Sequence, residues 1–210
     1  GAIQMTITFP INMPTDNISA IEVMETAAVA SGTSPFTFQQ EVQAHQGQLM
    51  SFRITLTPME RAAAEEWIAF FRQLNGMEGT FLLYPYHAGV PRGVATGAPV
   101  VDGADQTGRV LESTGWSNST SNILRKGDYI SIGSGAATRL YALMADVDSD
   151  GSGDASLDIW PRLRESPDDE DAISVTNAKG AFRLMSNTAQ HSISNALIYT
   201  GMSFTCREAM

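Results

Sequence analysis

Lysine is almost missing from this chain: only Lys126 and Lys179 stand beside eleven arginines, and the formal charge is −10. Charged residues make up 17% of the sequence, below the ~25% usual for globular proteins. A basic footprint for sequence-specific nucleic-acid binding is therefore excluded. Cysteine is reduced to Cys206, which cannot form an internal disulfide or build a zinc site alone. It alternates with Met202 and Phe204, a pattern that predicts a buried structural thiol on a strand face. No run of ~18 apolar residues occurs, so no membrane-spanning helix is expected. No charged segment leads into an apolar one near the start, so no secretory signal is expected in these residues.

Catalytic signatures are missing too. His45, His87 and His191 are isolated and share no metal-ligand spacing. No nucleophile elbow, phosphate loop, dinucleotide fingerprint or zinc-protease motif appears. The chain therefore reads as a non-enzyme, with no catalytic residue and no cofactor.

What is present begins with one helix in a sequence of strands and turns. Thr57-Pro58-Met59-Glu60 has an N-cap residue, a proline suited to the first helical position and a capping-box carboxylate. Met59, Ala63, Trp67, Phe70, Phe71 and Leu74 then recur at helical spacing, predicting a helix over 58–75. Gly76 supplies a left-handed stop. A lone amphipathic helix must bury its stripe against a sheet. The adjoining strand at 81–84 is the expected neighbour.

Short strands are predicted at 5–9 and 18–25, and a half-buried one from 34–38 toward Val42. Residues 48–57 give the clearest strand: Met50, Phe52, Ile54 and Leu56 alternate with Ser51, Arg53, Thr55 and Thr57. Composition shifts after Ala88 toward Gly, Ala, Pro and Val. Strands near 109–113, 129–132, 140–147 and 155–160 then predict a small antiparallel domain. A closing run at 196–206 completes the pattern. The expected organisation is discontinuous: 1–92 with 177–210 as one β-domain, interrupted by a β-barrel domain at 93–176.

Ten of the 23 acidic residues fall within 146–171, against Arg162 and Arg164 alone. The sharpest motif there is Asp146-Val147-Asp148-Ser149-Asp150-Gly151. It opens like a calcium loop, because three carboxylates and a glycine turn can wrap a hard cation. The match then fails, with Gly153 in place of an aliphatic residue and Leu157 in place of the bidentate glutamate. The expectation is a hairpin turn. Asp146, Asp148 and Asp150 stay as weak metal candidates.

Four stretches carry a wider likeness. They are Met5-Thr6-Ile7-Thr8-Phe9-Pro10; the helix with Gly79-Thr80-Phe81-Leu82-Leu83; Thr107-Gly108 followed by Gly115-Trp116 and Gly127-Asp128-Tyr129; and Ala145 to Gly151 leading to Trp160-Pro161-Arg162-Leu163-Arg164. In this order the chain resembles the distal tail proteins of long-tailed, non-contractile phages and gene transfer agents. The resemblance covers almost the whole length. It implies a mainly β fold: a tail-tube-like β-sandwich with one flanking α-helix and an inserted small OB-like β-barrel. It also implies a structural protein of the virion tail tip, made in the host cytoplasm. As a homo-hexamer, such a ring joins the tail tube protein to the hub or baseplate protein, and DNA passes its lumen without specific binding. Acidic side chains facing that lumen would repel phosphates. Two rival readings remain at this point. One is a carbohydrate-binding β-sandwich module stacking sugars on Trp116 or Trp160, and the other is a calcium-dependent β-protein.

Overall fold

The computed structural model describes residues 7–85 and 89–210. The expected first strand begins at Met5 and Thr6, outside the described residues, as does His87. The described strands are β1 (Ile11–Asn12), β2 (Ile18–Thr33), β3 (Gln40–Leu56), β4 (Phe81–Leu83), β5 (Gly97–Val101), β6 (Val110–Trp116) and β7 (Tyr129–Ile132). They continue with β8 (Arg139–Leu143), β9 (Ala155–Trp160), β10 (Ile173–Ser174), β11 (Gly180–Leu184), β12 (Ser192–Ile193), β13 (Tyr199–Thr200) and β14 (Ser203–Glu208). The α-helix, α1 (Arg61–Leu74), lies between β3 and β4. The fold is mainly β.

Six strands form one sheet in the order β1-β4-β11-β14-β3-β2, and six others form a second in the order β10-β7-β8-β9-β6-β5. The second sheet rolls into a small barrel. Its two end strands meet at the Val100–Ala172 bridge, where Val101 N–H donates to Asp171 O and Glu170 N–H donates to Val101 O. The barrel has six strands, one more than an OB fold. Its interior is filled by Leu111, Ile123, Leu124, Ile130, Leu157 and Ile159, each fully buried.

Period-two patterning builds the first sheet's apolar face. Phe52, Ile54, Phe81, Phe182, Leu184 and Cys206 all point into one core, while Arg53, Arg183 and Arg207 alternate outward. Burial pushes the Cys206 thiol well above its usual range, so it acts as a small apolar side chain. The same core takes in the helix stripe, and also Tyr129 and Leu140 from the barrel. Helix and barrel thus share one continuous apolar cluster with the sheet.

The helix starts three residues later than the capping pattern predicts. Met59 exchanges two backbone hydrogen bonds with Tyr199, at 3.0 and 2.9 Å. Thr57 donates its N–H and hydroxyl to Asn17 O. With Met59 held by β13 and Thr57 by the turn before β2, Glu60 becomes the N-cap and makes no side-chain capping bond. The stop is also shared: Asn75 is already left-handed (φ 50°) and Gly76 follows at φ 69°. A side chain at Gly76 would meet Asn187. Trp67, Phe70 and Leu74 are buried, Ala63 and Phe71 are half-buried against the core, and Met59 is buried from outside the helix. Ala64 and Ile68 are buried too, so the stripe is broader than the six residues read from spacing.

Four strand expectations need correcting. The described part of the first, 7–9, forms no strand, and the one expected over 140–147 ends at Leu143 as β8. Residues 34–38 form a turn in which Phe36 and Phe38 are exposed, instead of a half-buried strand. The 196–206 run breaks at Gly201 (φ 73°) into β13 and β14, because the left-handed glycine ends the ladder.

Candidate assembly interface

The aspartate run is a clasp. Val147 and Ser149 are buried, and the alternating aspartates face outward. Asp146 Oδ1 accepts the Lys126 N–H at 2.9 Å, and Asp148 Oδ1 accepts the Asn122 N–H at 2.6 Å. Ser149 Oγ donates to Ser117 O and accepts the Thr120 N–H. Asp150 Oδ1 accepts the N–H groups of Ser152 and Asp154. One short segment therefore fastens the whole 117–126 loop to the barrel. The three carboxylates are each spent on backbone donors, which is turn and loop chemistry. Among the described residues no cluster of three His, Cys, Asp or Glu side chains has metal-binding geometry.

Those backbone donors hold the Asp150 carboxyl below its ordinary range, the Asp154 N–H contributing most and the Ser152 N–H next. A folded pKa below the unfolded one means stability that is present above the ordinary carboxylate range and lost as pH falls through the folded value. Asp150→Asn should therefore have a lower urea midpoint than wild type at pH 7, with the gap closing below about pH 4. A gap that persists unchanged in acid would show that the carboxylate charge plays no part.

Trp116 ends β6 fully inside the barrel and donates its Nε1–H to Ser113 Oγ at 2.9 Å. Trp116 therefore offers no open platform for a sugar ring. Trp160 is half-buried against the main core. His191 stacks on Tyr199, and His45 is exposed on β3.

The feature that sequence reading missed is a projecting arm. β2 and β3 pair from Ile18–Leu56 out to Thr33–Gln40, well beyond the rest of their sheet. From Glu22 to Gly47 every residue except Ser34 is exposed. At ~3.3 Å per residue the seven outermost residues of β2 carry the tip roughly 20 Å outward. A register shift between Ala27 and Val29 twists the ribbon. At the tip, Ser34 N–H donates to Gln39 O and Phe38 N–H returns to Ser34 O, with Phe38 left-handed (φ 55°). Phe36 is 92% and Phe38 81% exposed.

A free two-stranded ribbon is marginal in water. Exposed strand edges are usually guarded by lysine, proline or charge. The outer half of this arm is instead built from Ala, Val, Ser, Thr, Gly and Gln, with Glu41 and His45 as its only ionisable residues beyond Glu25. Alanine and glutamine carry no period-two apolar signal, which is why spacing did not disclose the hairpin.

No protein-family model matches this chain, and no curated protein sequence matches it. Among the described residues, no helix is long and apolar enough to cross a membrane. The arm, its unguarded edges and its aromatic tip are the strongest functional geometry on the molecule.

Proposed function

We propose that this chain is a structural ring subunit of a virion tail tip, a distal tail adaptor. Six copies close into a ring that joins the tail tube protein to the hub or baseplate protein. DNA passes through the lumen without specific binding, and the ring carries out no catalysis. The observation that carries the reading is the arm, an uncovered ribbon whose two edges lack the usual protection against pairing. Strand addition from a neighbouring copy would satisfy those edges, and head-to-tail repetition of one such contact closes a ring. The sequence resemblance supplies the ring's place in a tail. Low lysine content suits surfaces that become interfaces, and the acidic excess disfavours adhesion of phosphates.

The test is to replace 27–47 by a two-residue turn and compare it with wild type. The shortened chain should keep a cooperative thermal transition yet form no ring, alone or with tube and hub proteins, when viewed by electron microscopy. A shortened chain that still forms six-fold rings would remove the arm's role. Tail tips lacking six copies of this chain would remove the adaptor reading.

A further inference from the structure

The outward face of the first sheet carries a compact group of arginines. Arg183 on β11 stands directly opposite Arg207 on β14, and Arg53 on β3 pairs with Thr205, two residues along from Arg207. Direct partners on one face lie ~5 Å apart at Cβ and diagonal ones roughly 7–8 Å, so the three guanidinium groups share one patch. All three are exposed. Among the described residues none of their side chains makes a hydrogen bond or ion pair. Glu22, opposite Arg53, is the one carboxylate that strand register places on this face. Like charges directly opposite one another destabilise a sheet. Three of only 13 basic residues stand here against that single carboxylate.

The complementary patch is on the same chain, on the barrel. Residues 165–171 connect β9 toward β10 and carry Glu165, Asp168, Asp169, Glu170 and Asp171. The first four are exposed. Two of these carboxylates accept backbone N–H groups, Asp169 from Gly103 and Asp171 from Asp168. None of the five forms an ion pair among the described residues. Among the described residues one chain therefore holds an arginine-rich patch and an acidic loop, neither of which forms an ion pair.

We propose that the Arg53/Arg183/Arg207 face docks the 165–171 loop of a second copy of this chain. The occupant follows from charge complementarity. Each copy offers one patch of each sign, so the contact is head-to-tail and leaves both patches free to repeat. A polyanion such as DNA is the poorer occupant, since three arginines beside Glu22 on a chain of charge −10 meet net repulsion. This rests on the ring reading and deepens it: the loop acids face a neighbouring copy instead of the lumen.

Sedimentation velocity on the full chain tests the contact. Wild type should self-associate at about 0.05 M salt and dissociate at about 0.5 M, where the Debye length falls to a few ångströms. The pair Arg183→Glu with Arg207→Glu, and separately Asp168→Lys with Asp169→Lys and Glu170→Lys, should each weaken association by about a hundredfold or more. Combining all five reversals in one chain should restore it. The loop set lies on exposed coil, so it remains informative if the strand set misfolds. Association that ignores both reversals overturns this contact while leaving the ring reading to the arm deletion. A wild type that stays monomeric at about 100 µM in low salt also overturns it. So does a short duplex DNA whose binding is lost in the arginine variant.

Discussion

Glu208→Ala should lower the unfolding free energy by about 3–5 kcal/mol, the cost of stranding a buried charge. Glu208 is the last residue of β14 and only 5% exposed. Its Oε2 accepts the Arg164 Nη2–H at 2.6 Å and the Met50 N–H at 3.1 Å. Arg164 comes from the segment after β9, so one carboxylate on β14 ties the barrel to the neighbouring strand β3. The ion pair is enclosed, with side-chain exposures of 11% for Arg164 and 4% for Glu208. Truncation leaves a guanidinium whose Nε already has no partner, and it orphans a buried backbone donor. Glu208→Gln should cost less, because an amide oxygen can still accept from both groups. Replacing the pair together, Arg164→Met with Glu208→Leu, should recover much of the loss, since a packed apolar pair needs no desolvated charge. Urea midpoints at constant slope measure all three. A single Glu208→Ala loss below about 1 kcal/mol would show that water reaches the pair.

Trp67→Ala should cost a similar amount, about 3–5 kcal/mol, for a different reason. Trp67 is 1% exposed and sits at the centre of the helix stripe. Its ring meets Phe70 edge-on at 5.9 Å and lies 6.2 and 6.0 Å from Phe71 and Phe204. Its Nε1–H donates to Asp16 O at 3.1 Å, fastening the turn before β2 to the helix. Alanine would open a large void under the helix, whereas Trp67→Phe keeps most of the packing and loses chiefly the hydrogen bond, at about 1 kcal/mol. Each full truncation removes a sizeable share of the ~5–15 kcal/mol that holds a typical domain together. Equal losses for the phenylalanine and alanine variants would show that the hydrogen bond, and not the volume, carries the effect.

These two residues differ in how far sequence could reveal them. Trp67 was legible, because three- and four-residue spacing places it on one helical face whatever the fold. Glu208 was not. Its partners lie 44 and 158 positions away in the chain, and no local period signals an ion pair across that distance. The aspartate run falls between these cases. Its turn character followed from Asp and Gly chemistry, but its role as a clasp on 117–126 depends on which loop the fold brings beside it.

Scarce lysine, a single buried cysteine, alternating strands and one amphipathic helix were enough to determine a mainly β chain with a lone helix. Those features act over a few residues and need no knowledge of what lies across the sheet. The helix start, the barrel closure, the arm and the split of charge between sheet face and acidic loop were decided by tertiary structure. Met59 leaves the helix because Tyr199 takes its backbone groups, and the arm exists because β2 and β3 continue where, among the described residues, no third strand follows. Sequence composition said that little of this surface is charged. Only the fold shows that its few arginines and many acids stand apart, because strand register, and not sequence proximity, chooses the neighbours.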